Sequence, residues 1–227
     1  MPKEIYIFKG LPSEHYDGFR ERIMMLSSEI LDRNKPGTLK INLTLKAPPR
    51  MSVIPFKRSK IAVFSVTGST PGGRELLTGS EGFTGAYEVE EAIPVAYEKT
   101  WADGEPTPGE CLLTLFHSKP GIDRETFLRR WHEGHTPLSL KLHPLWNYNR
   151  NVVSGRLSSD SKEYDGIVEE QFRKASDLLN PLVFFGPPLK VALHMYQVLM
   201  DTRSFIDMKR IETYLTTEIH LKSQDGI

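Results

Sequence analysis

The strongest constraint on this fold is a repeat. Phe116 follows Phe8 by 108 residues, each inside a short apolar run, and Phe127 follows Phe19 by the same 108. The pattern around those pairs repeats too. Residues 4–9 are apolar and β-rich and read as a strand. Residues 13–31 set Phe19, Ile23, Leu26 and Ile30 at three- and four-residue spacing, the period of a helix with one apolar face. In residues 39–45, Leu39, Ile41, Leu43 and Leu45 alternate with Lys40, Asn42 and Thr44, which predicts a half-buried strand. Residues 61–67 form a third strand. Residues 68–85 are glycine-rich and read as a loop with at most a short helix. Residues 87–99 form a fourth strand, in which Pro94 signals an edge or a bulge.

Residues 103–109 (Asp-Gly-Glu-Pro-Thr-Pro-Gly) read as a linker, and the pattern then restarts. A strand at 111–117 is followed by a helix capped by Asp123, strands at 145–153 and 164–172, and helical pieces over 174–205. Pro181 and Gly186-Pro187-Pro188 break those pieces, residues 189–200 are the firmest, and a strand at 211–220 closes the half. Each half is therefore strand–helix–strand–strand–helix–strand, the ferredoxin-like split βαβ unit. The expected class is α+β: two βαββαβ repeats, residues 1–106 and 107–227, with antiparallel sheets facing each other and helices outside. At the same offset Ile23 corresponds to Trp131 and Ser27 to His135. The N-terminal repeat is expected to be scaffold and the C-terminal repeat to hold the pocket.

The 227 residues are 39% hydrophobic, enough for a sizeable core. Lysine plus arginine equals aspartate plus glutamate at 29 each, so the charge gives no argument for nucleic acid or an anionic membrane. No apolar run reaches the length of a membrane span, and the N-terminus does not read as a signal peptide. A single cysteine, Cys111, precludes an intrachain disulfide and reads as structural. Together these predict a soluble, cytoplasmic protein.

The candidate site lies in residues 127–137. Phe127, Trp131 and His135 are four apart and share a helix face. Pro137 lacks an N–H and clashes with the preceding turn, and it pushes Thr136 out of the helical region. The helix should therefore break after His135 and restart with Thr136 as N-cap and Pro137 as its first residue. The new helix dipole would then favour a neutral imidazole at His135. Two readings of His135 stand: a helix-end histidine bonded to a carbonyl, or a ligand-binding or catalytic group. Phe127 and Trp131 are core or pocket wall. Tyr148 would orient a substrate or hand it a proton, and Arg150, on the same strand face, would be a solvated edge residue or a partner for a substrate carboxylate. His132-Glu133-Gly134-His135 spaces its histidines three apart where the zinc-protease motif needs four, so no metal is expected. The glycine-rich stretch lacks a phosphate-loop lysine, which argues against a nucleotide.

The run His117-Ser118-Lys119-Pro120-Gly121, then Phe127, Trp131, His135-Thr136-Pro137 and Tyr148, resembles the EthD domain family of the dimeric α/β-barrel superfamily. That resemblance covers about residues 111–153. It implies a small hydrophobic or aromatic oxygenated ligand, His135 as the functional histidine, and Trp131 and Tyr148 as pocket wall. The family's relatives imply dehydration, decarboxylation or cofactor-free monooxygenation, making the chain a lyase or an oxidoreductase without a cofactor. Two other implications remain beside it: a non-catalytic binding or accessory protein, and a haem-binding barrel with His194 as the iron ligand. A homodimer is expected but not required, because a duplicated chain supplies both sheets.

Overall fold

The computed structural model describes residues 2–224. In chain order the first half runs β1 (Lys3–Lys9), α1 (Tyr16–Asn34), β2 (Thr38–Leu43), β3 (Ile61–Thr67), α2 (Pro71–Gly79) and β4 (Phe83–Val95). The second half runs β5 (Glu110–Phe116), α3 (Arg124–Arg129), a π-helical turn (Arg130–His135), α4 (Thr136–Leu142), β6 (Asn147–Arg156) and β7 (Gly166–Phe172). It ends with α5 (Ala175–Leu179), α6 (Pro181–Phe184), α7 (Pro188–Phe205) and β8 (Glu212–Lys222). No helix among the described residues is long and apolar enough to cross a membrane.

The strands close into one antiparallel barrel in the order β4-β1-β3-β2-β8-β5-β7-β6, with β6 returning to β4. Each half contributes four neighbours in the same internal order, the fourth, first, third and second strands of its repeat. The two joints, β2 with β8 and β4 with β6, are therefore equivalent, as a duplicated unit requires. Pro94 sits where the β4–β6 register shifts, between Ala92 and Val95, so the missing N–H is absorbed by a bulge. Residues 103–109 run along β8, with Gly104 N–H donating to the His220 carbonyl and Thr107 N–H to that of Glu218.

Closure changes what alternation means on β2. Its polar face was expected to meet water. It faces the barrel interior instead, where Asn42 is fully buried and Thr44 nearly so. The middle of the interior is apolar, built from Ile5, Ile7, Val63, Leu113 and Ile167, and beyond it Lys9 meets Glu212 and Tyr214. The end that holds Lys40 is ionic. Lys40 contacts Glu169 and reaches Glu218 at 2.9 Å, while Lys3 lies 2.6 Å from Glu91 and 3.8 Å from Glu169. Tyr97 O–H donates to Glu218 at 2.5 Å and lies 2.6 Å from His220 Nε2.

The outer faces carry the helices. α1 seats Phe19, Ile23 and Ile30 over Tyr6, Phe8 and Phe64 of the first sheet. α2 forms in the stretch expected to be mainly loop, because Thr70 caps it, accepting from Gly73 N–H at 3.1 Å, and Pro71 supplies a pre-set first residue. In the second half Phe116, Phe127, Trp131 and Phe205 pack as one aromatic cluster. Phe8 and Phe116 thus occupy equivalent strands, and Phe19 and Phe127 equivalent helices. Gly166 on β7 makes room for that cluster: an added Cβ would lie 2.4 Å from the Phe116 ring and 2.8 Å from the Trp131 ring. Gly166→Ala should therefore overpack a rigid cluster and lower stability by about 1–3 kcal/mol, read as a lower midpoint in urea.

Candidate active site

The helix carrying His135 does not break at Pro137. It widens by one residue, so that Thr136 N–H donates to the Trp131 carbonyl five residues back. Thr136 remains helical (φ −57°, ψ −51°) and caps nothing; its hydroxyl also donates to the Trp131 carbonyl, at 3.0 Å. The wider turn accommodates a proline that supplies no N–H, and the chain continues directly into α4. This corrects the expected break and restart, and it removes the helix N-terminus that was to favour a neutral imidazole.

What holds the ring instead is a pair of polar partners. His135 Nδ1 lies 2.6 Å from Asp201 Oδ2 on α7, and its Nε2 lies 3.1 Å from Ser139 Oγ on α4. A carboxylate only accepts, so the Nδ1 nitrogen carries the proton on that side. On a neutral ring Ser139 O–H then donates to the Nε2 lone pair. The ring packs 5.3 Å from Phe205.

His135 stands on the wall of a cavity of about 550 Å³ between the outer face of the second sheet and α7. The sheet contributes Leu112, Thr114, Phe116, Val168 and Glu170, and α7 contributes Met195, Val198, Leu199, Thr202 and Phe205. Trp131 and Tyr148 line it as well. Tyr148 accepts a long 3.4 Å bond from Trp131 Nε1–H, and burial, joined by the charge of Glu170, pushes its phenol up to about 12. Phe127 and Arg150 do not reach the cavity wall. Phe127 is buried behind Trp131 at 5.6 Å between ring centres. Arg150 donates to Thr136 Oγ1 at 2.7 Å and lies 5.9 Å from the Trp131 ring centre.

Glu170 was not singled out from the sequence. It shares β7 with Glu169, and alternation sends the two carboxylates to opposite faces. Glu169 enters the ionic end of the barrel, whereas Glu170 enters the apolar cavity. There burial pushes its carboxyl up to about 7, with His135, when protonated, working in the other direction. Asp201, Ser139 and His143 were missed for a related reason. Each acquires its role from a partner on another turn or element. The available signals were a lone acid late in an apolar helix for Asp201, and a four-residue spacing from His135 for Ser139.

His132 and His194 lie off the cavity wall. Burial pushes His132 down to about 4, and its Nε2 is buried without a partner among the described residues. His194 donates from Nδ1 to the Phe185 carbonyl at 2.6 Å. A haem iron at His194 would therefore lie outside this cavity, bound through Nε2, the nitrogen that the Phe185 bond leaves open.

The EthD domain family model matches residues 119–209, a span containing His135, Ser139, Tyr148, Glu170 and Asp201. Among solved structures, an anthrone oxidase-like protein aligns with a TM-score of 0.61 at 8% identity, over 98% of this chain and 94% of that one. A Fusobacterium nucleatum protein named as a candidate monooxygenase aligns with a TM-score of 0.51 at 8% identity, over 97% and 92%. At such identities the shared property is the fold, a dimeric α/β-barrel arrangement contained in one chain. The curated proteins include no match to this sequence.

Proposed function

We propose that the cavity binds a small apolar or aromatic compound bearing oxygen, and that His135 moves a proton on it. The observation that carries this reading is the Asp201–His135 pair, 2.6 Å apart, on the wall of an apolar cavity. Asp201 holds the Nδ1–H tautomer and so directs the Nε2 lone pair away from itself. Ser139 O–H occupies that lone pair and must rotate off it, or relay the proton, when substrate arrives. Glu170 supplies the complementary acid: near pH 7 a substantial fraction of its carboxyl is protonated and can donate to a substrate oxygen.

A base and an acid lining one cavity suit dehydration of a hydroxylated ketone. His135 takes the proton from the carbon beside the carbonyl. The electron pair becomes the new double bond as the neighbouring hydroxyl leaves, and Glu170 protonates that hydroxyl as it departs as water. The first half of this step also yields an enolate or phenolate, the species that reacts with dioxygen without a cofactor. Oxygenation is therefore the second reading, favoured by the names of the proteins that share the fold. One group placed for proton transfer contributes about 10²–10⁴-fold. His135→Ala should remove that factor. A variant that still turns over any authentic substrate at the wild-type rate overturns the proposal, and altered affinity with no turnover of any bound compound favours a binding protein.

The pH dependence has a definite sign. The acid-competent form of Glu170 is the protonated one, so kcat/KM should fall as pH rises through about 7. Glu170→Gln retains an N–H donor and cannot ionise, so it should lower the maximum rate and abolish that limb. The same group also affects stability. Its folded pKa is raised, so the folded state binds the proton more tightly and stability should decline as pH rises from about 4.5 to about 7. Glu170→Gln should flatten that decline in thermal melts.

A further inference from the structure

His143 is a second polar group on the cavity wall, at the end of α4 distant from the Asp201–His135 pair in chain order. Its Nδ1–H donates to the Phe184 carbonyl at 2.9 Å, and its ring stacks on Phe184 at 4.0 Å and meets Phe185 edge-on at 5.5 Å. These contacts fix both tautomer and orientation. The proton is on Nδ1, so Nε2 has only a lone pair to offer. That nitrogen has no hydrogen-bond partner among the described residues, yet it is not among the sealed, unpartnered atoms of the interior. It keeps accessible surface, in a residue that lines the cavity.

The remainder of the wall limits what can meet it. Among the described residues lining the cavity there is no lysine or arginine, and the acids are represented by Glu170 alone. An anionic ligand would lose its hydration with no lysine or arginine to replace it. The complement of an apolar cavity with an unpartnered, uncharged acceptor is an uncharged apolar ligand carrying an O–H.

We propose that His143 is a specificity-determining residue, whose Nε2 accepts a hydrogen bond from a phenol or alcohol O–H of an uncharged, largely apolar substrate. This rests on the reading of the cavity as the substrate site and names the class of compound it takes. Burial supports it, pushing His143 down to about 4 and so keeping the ring an acceptor through neutral pH. The pairing is two-sided: one ligand hydroxyl meets His143, while a second ligand oxygen meets Glu170. A hydroxylated aromatic ketone satisfies both, and a carboxylate has no O–H to give His143.

The test uses three naphthalene probes of similar size: 2-naphthol, 2-methylnaphthalene and 2-naphthoate, titrated by their own fluorescence at about pH 6, where the naphthol is neutral and the imidazole uncharged. Wild-type protein should bind the naphthol about tenfold more tightly than the methyl compound, the effect of one net hydrogen bond, and the naphthoate weakest of the three. His143→Phe keeps the stack on Phe184 and should erase the naphthol advantage over 2-methylnaphthalene, with continued binding of the methyl compound reporting that the variant is folded. His143→Gln restores an acceptor oxygen and should recover part of the preference. Equal binding of naphthol and methyl compound by the wild type, or a naphthol preference that survives in His143→Phe, overturns the proposal while leaving the cavity reading intact. Tightest binding of the naphthoate overturns it as well. Failure of all three to bind overturns the cavity reading and the subsite with it.

Discussion

Asp201→Asn should lower kcat by about 10²–10⁴-fold while leaving the cavity and its affinity for ligand in place. Asparagine is nearly isosteric with aspartate, so the 2.6 Å contact to His135 Nδ1 can persist. Its chemistry inverts, however. The amide can donate to Nδ1, which then becomes the acceptor and moves the ring proton to Nε2. The nitrogen facing Ser139 and the cavity loses the lone pair a base requires. Asp201 does not touch substrate in this account, so it is a positioning residue, and its effect should appear in kcat with KM little changed. Asp201→Ala removes the partner without imposing the wrong tautomer and should be the milder of the two. An asparagine variant milder than the alanine variant would argue that the tautomer is not what Asp201 supplies.

The second large effect is on stability. Lys40→Met should destabilise the barrel by about 3–5 kcal/mol, because it strands Glu169 and Glu218 without their shared cation. Both carboxylates are almost fully enclosed, with 1% side-chain exposure each. Burial acts against both charges of the Lys40–Glu218 pair, yet the attraction dominates. Glu169 and Glu218 raise the lysine above its usual range, and Lys40, with His220 and Tyr97, holds Glu218 well below the carboxylate range. The sign follows for each. The depressed Glu218 stabilises above the unfolded carboxylate value and loses that contribution as pH falls toward its folded value. The raised Lys40 stabilises below the unfolded lysine value and loses that contribution as pH rises past its folded value. At roughly 2–4 °C per kcal/mol for a chain of this size, the melting temperature should fall by about 10 °C. Adding Glu169→Gln and Glu218→Gln to Lys40→Met should recover most of it. A Lys40→Met protein that melts with the wild type would show that this end of the barrel is more open to water than its burial indicates.

The architecture was legible because it is written in local periods. Alternation on residues 39–45, the helical spacing of Phe19, Ile23 and Ile30, and the 108-residue offset each point to the same repeat. Barrel closure is not a local property. Lys40 and Asn42 read as a solvated face until β8 of the other repeat is placed beside them. Pro137 misled for a different reason. Proline reliably removes a hydrogen bond, but a helix can absorb that loss by widening as well as by stopping. In the candidate site, Trp131, His135 and Tyr148 carried a visible pattern, aromatic residues and an imidazole at helical and strand spacing. Glu170, Asp201 and His143 carried none, because a carboxyl becomes an acid through burial and a histidine becomes an acceptor through the carbonyl it meets. Those are facts about neighbours 41 to 66 residues away in the chain, Phe184 for His143 and Asp201 for His135, and they appear only once α6 and α7 are folded over the sheet.

Deuterium exchange into a bound ketone reaches the proton-transfer step without knowledge of the natural substrate. With 2-tetralone in D₂O, followed by NMR, the wild-type protein should speed exchange at the carbon between ring and carbonyl by about 10²-fold or more over buffer, and His135→Ala should return it to the buffer rate with the ketone still bound. Exchange that proceeds equally well in His135→Ala, or a bound ketone that wild-type protein leaves unexchanged, would contradict His135 as the proton-moving group.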